Sequence, residues 1–186
     1  MITAIDNNTA LVLIDLQKGI VGRSFPTPVA EIINNAAKLT DAFHRAGLPV
    51  VIVNVNAAGA AWLKARKEPA PPQPAPQPGW TDIIPDIKTQ PGDIFITKHT
   101  WGAFFETALD EELKKRKVTG IVLGGIATSI GVEGTARQAS ERAYNISFAT
   151  DAMTDMLAEA HAHSLKYIFP RMGELGSTDE IIARLP

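Results

Sequence analysis

Residues 118–151 read VTGIVLGGIATSIGVEGTARQASERAYNISFATD, and this stretch limits the folds open to the whole chain. A short apolar run rich in β-branched residues (Ile121, Val122, Leu123) is followed by a glycine pair, an amphipathic pattern and a second apolar run. That succession is a βαβ unit. Gly124 and Gly125 are expected to end the first strand, and Thr128 or Ser129 to cap a helix reaching Arg142. Residues 145–149 form the next strand. The turn between Gly124 and Gly131 then lies at the carboxyl end of a parallel strand, where open α/β sheets build their sites.

The remaining pattern alternates in the same way. Residues 10–14 are an apolar run suited to a central strand covered on both faces, and Asp15 closes it. A carboxylate there is costly to ionise without a partner, so Asp15 is either a turn or capping residue or a functional group. Val29, Ile32, Ile33, Ala36, Leu39 and Phe43 recur at helical spacing between Pro28 and Gly47. His44 on that helix reads as an ordinary surface or boundary histidine. Residues 49–55 give a second strand. Residues 92–98 give a third, ending in Lys98, which is either exposed or buried beside the Asp15 strand end. Trp101, Phe104 and Phe105 follow, as core or as the wall of an apolar pocket. Helices are expected over 106–117, over 155–167 (burying Leu157, Ala160, Ser164 and Leu165), and after a capping box at 177–180. The fold class is α/β, a three-layer, doubly wound, mainly parallel sheet in one domain spanning 1–186.

Composition removes several functional classes. A formal net charge of -2 and a single basic run, LKKRK at 113–117 on a helix end, argue against a nucleic-acid partner. With no cysteine in the chain, disulfides, thiolate metal ligands and cysteine nucleophiles are excluded together. No apolar stretch approaches the ~20 residues that span a bilayer, and the first ten residues do not resemble a signal peptide, so a cytoplasmic protein is expected. Residues 68–79 carry six prolines and favour an extended conformation.

Three segments together resemble a known family. GIATSIGVEGTARQA looks like the signature of the isochorismatase-like hydrolases, which include nicotinamidases, carbamoylsarcosine hydrolases and true isochorismatases. ALVLIDLQ at 10–17 is similar to the first strand with the family's catalytic aspartate, and TKHTWGAFFETAL at 97–109 to its catalytic lysine segment. The resemblance implies catalytic roles for Asp15 and Lys98. It implies substrate-binding roles for Gln17, Trp101, Phe104, Ile126, Ala127, Thr128, Ile130 and Gly131, and a non-proline cis peptide near Ile126 and Ala127. It also implies a homodimer or homotetramer, and a connection after the second strand that runs over the active-site mouth, so the proline-rich segment is expected as a lid or a plain surface loop.

The departure from the family lies at Gly131, where the amidases carry their nucleophilic cysteine. Ser129 supplies only half of a Gly-x-Ser-x-Gly elbow, since Ala127 precedes it, and capping is its expected role. The aspartate and histidines of the nicotinamidase metal site have no counterpart between Asn56 and Trp80, and His161 and His163, two apart on a helix, point to different faces. No catalytic metal and no other cofactor is expected. True isochorismatases resemble this pattern with glycine at the same position, which implies Asp15 as general acid or base on a vinyl ether such as isochorismate or on another small anionic substrate. Gly131 in a helix's first turn would admit a substrate carboxylate to backbone N–H groups. The alternative is a catalytically inactive, small-molecule-binding homologue.

Overall fold

The computed structural model describes residues 1–58, 60–68 and 76–186. Strand β1, Thr9–Ile14, is buried throughout because Ala10, Val12 and Ile14 enter one core while Leu11 and Leu13 enter the other. Burial on two sides is why its sequence is an unbroken apolar run rather than an alternating one. On one flank β1 pairs with β2, Val50–Val55, which pairs with β3, Ile94–Lys98. On the other it pairs with β4, Gly120–Ile126, followed by β5, Asn145–Thr154, and β6, Glu174–Gly176. All pairings are parallel, in the order β3-β2-β1-β4-β5-β6. The chain winds outward from β1 in one direction and from β4 in the other, which leaves a crevice beyond the carboxyl ends of these two strands.

Helices cover both faces. A short helix α1, Lys18–Val21, leads to α2, Val29–Arg45, whose Ala36, Leu39 and Phe43 pack on the side of Leu11 and Leu13. Helices α3, Leu109–Lys115, and α4, Glu133–Ser140, send Leu109, Leu113, Ala136 and Ala139 to the opposite side. Helix α5, Ala158–His163, and α6, Thr178–Ile182, complete the layers. Gly47, at φ 66°, stops α2 as its sequence implies, and Ser177 and Glu180 form the expected capping box. His44 sits at the α2 boundary, its Nε2 2.8 Å from Asp93 Oδ1. Among the described residues no helix is long and apolar enough to cross a membrane.

Three local expectations are corrected. Gly124 and Gly125 do not end β4, which runs to Ile126; the pair instead lies at a register shift against β5, with Gly125 at φ 116° and so close to Ile14 that a Cβ would fall 2.1 Å from its carbonyl oxygen. Neither Thr128 nor Ser129 caps the following helix: a π turn, Thr128–Val132, leads into α4 with no side-chain cap. The helix expected from residue 155 begins at Ala158, because Asp155 is buried beyond the end of β5, and Leu157 is exposed instead of buried. Of the proline-rich segment expected as a lid or surface loop, residues 69–75 lie outside the described residues, while Pro76, Gln77 and Gly79 line a groove together with Arg23, Trp62 and Trp80.

Candidate active site

Asp15 stands one residue beyond β1, in the left-handed region at φ 53°, its N–H donating to the Val53 carbonyl at 2.9 Å. That conformation is uncommon for a side-chain-bearing residue, though aspartate tolerates it better than most, and Glu106, Lys117 and Ala143 adopt it away from the site's cavity. Its Oδ2 accepts a 2.7 Å hydrogen bond from Lys98 Nζ, which also donates to the Thr100 carbonyl at 3.1 Å. Lys98 ends β3, which is separated from β1 by β2, so its long stem must pass the end of β2 to reach the carboxylate. Asp15 is 5% exposed and Lys98 2%. Asp15 Oδ1 is buried and accepts no hydrogen bond from the described residues. Burial pushes the Asp15 carboxyl up to about 6, against the pull of the neighbouring Lys98 ammonium.

Facing this pair is Gly131, in the turn after β4. A Cβ on Gly131 would lie 3.4 Å from Asp15 Oδ2 and only 2.8 Å from Ile14 Cγ2, so the β1 side chain already occupies part of the room a larger residue would need. The Ile126–Ala127 peptide is cis, at the expected position. The turn is anchored from β5: Asp155 Oδ2 accepts from both the N–H and the hydroxyl of Ser129, at 2.8 Å each, and Oδ1 accepts from the Leu157 N–H at 3.2 Å. Ser129 is therefore engaged by an outside carboxylate rather than acting as a cap.

A cavity of about 230 Å³ opens beside these groups. Of the residues expected at a site, it brings together Asp15, Lys98, Trp101, Ile126, Ala127, Ile130 and Gly131. Three others are elsewhere. Phe104 is buried in the core against Tyr144, with ring centroids 5.8 Å apart. Thr128 is fully buried and meets His161 Nδ1 through its hydroxyl at 2.8 Å. Gln17, fully buried, ties the site's walls together: its Nε2 donates to the carbonyls of Val55 and Trp80, and its Oε1 accepts from the Val55 N–H.

Several lining residues carried no sequence signal: Arg23, Trp62, Trp80 and Met156. With Trp101, the cavity is lined by all three tryptophans of the chain. Trp62 donates through Nε1 to the His99 carbonyl at 2.7 Å and meets Trp101 edge to face at 6.5 Å. Trp80 lies directly over Gly19, where a Cβ would fall 2.1 Å from the indole, and accepts the Gly19 N–H on its carbonyl at 2.9 Å. Trp62 lies in a single 3-10 turn, Ala61–Lys64, and the others come from irregular segments, so only tertiary contact assigns them a place. Among the described residues no three histidine, aspartate or glutamate side chains converge to hold a metal ion.

The family model of the isochorismatase domain matches residues 9–180. The chain belongs to the isochorismatase family. It is 43% identical over 183 residues to the uncharacterized isochorismatase family protein YwoC of Bacillus subtilis, covering 95% of this chain and 94% of that one. Identity to the uncharacterized isochorismatase family protein YecD of Escherichia coli O157:H7 is 40% over 182 residues, covering 95% of this chain and 96% of the other. A solved structure of an isochorismatase family protein from Burkholderia thailandensis superposes with a TM-score of 0.92 at 37% identity, covering 100% of this chain and 99% of that one. The chain is thus a hydrolase of the isochorismatase family, with the family's α/β fold.

Proposed function

We propose that this hydrolase works without a covalent intermediate, with Asp15 as general acid and then general base on a small vinyl ether such as isochorismate. The observation that carries the reading is Asp15 itself: a buried carboxyl at the cavity, raised to about 6, with one oxygen on Lys98 and the other unpartnered. A carboxyl poised near neutrality can deliver a proton and then take one back. In the proposed reaction the Asp15 proton is added to the terminal carbon of the enol ether, leaving an oxocarbenium ion. Water adds to the cationic carbon and returns a proton to the Asp15 carboxylate. The hemiketal then collapses: the bond between its central carbon and the ether oxygen breaks, its hydroxyl becomes the pyruvate carbonyl, and the hydroxyl proton passes to the leaving oxygen to give an alcohol.

Lys98 keeps the carboxylate form bound when Asp15 has given up its proton. Gly131 leaves the face toward Asp15 without a side chain. The tryptophans line the cavity rather than fill it, which favours turnover over the reading as an inactive homologue. The proposal includes a cytoplasmic enzyme acting as a homodimer or homotetramer. In its support, Phe95 is 60% exposed on the edge strand β3, surface that a second copy would cover.

The test is pyruvate release from isochorismate by wild type and by Asp15→Asn, which keeps an acceptor for Lys98 but has no proton of suitable acidity. Loss of about 10²-fold or more in the variant, with its fold retained by circular dichroism, is expected. Equal inactivity of both proteins would sink the isochorismate reading.

A further inference from the structure

We propose that Arg23 selects the substrate, taking a carboxylate carried on a flat, unsaturated body that lies against the tryptophan walls. Two positive groups line the cavity, Lys98 and Arg23. Lys98 is committed: it is buried and donates to Asp15 and to the Thr100 carbonyl. Arg23 is not. Among the described residues its side chain makes one hydrogen bond, from Nη1 to Met156 Sδ at 3.7 Å, and no ion pair. A thioether is a weak acceptor that a carboxylate readily displaces.

The position of Arg23 fits that role. It follows α1 in an exposed segment and lines both the cavity and the adjoining groove, so its guanidinium stands at the mouth while Asp15 stands inside. A planar fork of donors reads a carboxylate bidentately, and fixing one end of a ligand orients the other. The body between the two ends meets Trp62, Trp80 and Trp101, whose faces favour flat π systems over puckered saturated rings. Trp62 and Trp80 are held in place, by the His99 carbonyl and by the Gly19 backbone respectively, so they present fixed walls. On this proposal the anion is received at Arg23, at the end of the cavity away from Asp15. This inference rests on the hydrolase reading for what happens to the ligand, but not for its capture.

Binding can be read without turnover. Benzoate, benzamide and cyclohexanecarboxylate are titrated into wild type, Arg23→Met and Arg23→Lys by intrinsic tryptophan fluorescence and by calorimetry. Wild type is expected to bind benzoate at least about tenfold more tightly than benzamide, the factor a charge-assisted hydrogen bond supplies, and more tightly than cyclohexanecarboxylate. Arg23→Met should erase the preference for benzoate over benzamide and Arg23→Lys should restore part of it, while Asp15→Asn should retain it. On a substrate, Arg23→Met should raise KM with little change in kcat. Equal binding of benzoate and benzamide by wild type, a preference that survives in Arg23→Met, or no saturable response to benzoate would each overturn the role of Arg23. Equal binding of benzoate and cyclohexanecarboxylate would overturn the preference for a flat body. If isochorismate is not hydrolysed but the Arg23-dependent preference is found, the assigned reaction falls and the specificity stands.

Discussion

Asp15 is held between two opposed influences, burial that favours the neutral acid and the Lys98 ammonium that favours the carboxylate, and burial is the stronger. An acid that must be protonated to act loses activity above its pKa. For wild type, kcat/KM is therefore expected to fall about tenfold per pH unit above pH about 6. Lys98→Met removes the group that lowers the Asp15 pKa, so the falling limb should move to higher pH. A limb that rises through the same range would make Asp15 a base instead. Gly131 is constrained by packing, because the Cβ of any larger residue would come within 2.8 Å of Ile14 Cγ2. Gly131→Ala should lower stability in urea by about 1–3 kcal/mol, the usual range for overpacking a filled interior. No loss would mean that Ile14 yields, and that a cysteine would also fit.

At the scale of elements, the turn after β4 is fixed less by its own sequence than by β5. Asp155 receives two backbone N–H groups and one hydroxyl, so the approach to Gly131 hangs on a carboxylate 26 residues further along the chain from Ser129. Asp155→Ala would leave the half-buried N–H and hydroxyl of Ser129 without their acceptor. A loss of about 1–3 kcal/mol is expected, together with faster hydrogen exchange at the Ser129 amide. Ser129→Ala removes only the hydroxyl and should leave exchange at that amide slow. If the two variants behave alike, the backbone hydrogen bond is not what fixes the turn.

At the scale of the whole molecule, the site and the stability of the fold are coupled through protons. The folded chain holds the Asp15 proton up to about 6, whereas the unfolded chain releases it near 3.8. Between these values the unfolded state binds fewer protons, so stability falls as pH rises from about 4 to about 6 and levels off above. The difference in unfolding free energy between wild type and Asp15→Asn should therefore drop by roughly 2 kcal/mol between pH 4 and pH 7, at about 1.4 kcal/mol per pKa unit. Urea unfolding at pH 4 and pH 7 measures it. A difference that stays constant would mean that Asp15 is not raised by folding. Carboxylates held low in the folded state, such as Glu174 with its hydrogen bonds from Thr3, act in the opposite sense, losing stability as pH falls. Comparing the two proteins cancels their contribution.

The alternation of apolar runs and amphipathic segments determined the layers of the fold, because a parallel strand covered on both faces must be apolar at every position. Asp15 and Lys98 stood out because each ends a strand whose pattern is otherwise apolar, but their roles, and the choice of Gly131, came from the resemblance of the three segments to a family. Local signals failed where a residue's role depended on a distant partner. Gly124 and Gly125 look like the end of a strand until their neighbours are in place, the Ala152 carbonyl 3.0 Å from where a Cβ on Gly124 would lie and the Ile14 backbone against Gly125. Phe104 and Trp101 stand three residues apart in one aromatic cluster, yet only contact with Tyr144 draws Phe104 into the core while Trp101 is left 56% exposed at the cavity. Arg23 and Trp80 lie in irregular chain and Trp62 in a single 3-10 turn, where no periodicity orients a side chain. The strand order brings Asp15 and Lys98 together across 83 residues of sequence, and the carboxyl ends of the sheet gather the rest. The sequence by itself determined the sheet and put Asp15 at a strand end beside its switch point, since both follow from local pattern. Only the tertiary structure decided the shape and charge of the cavity, because these arise where segments distant in sequence meet.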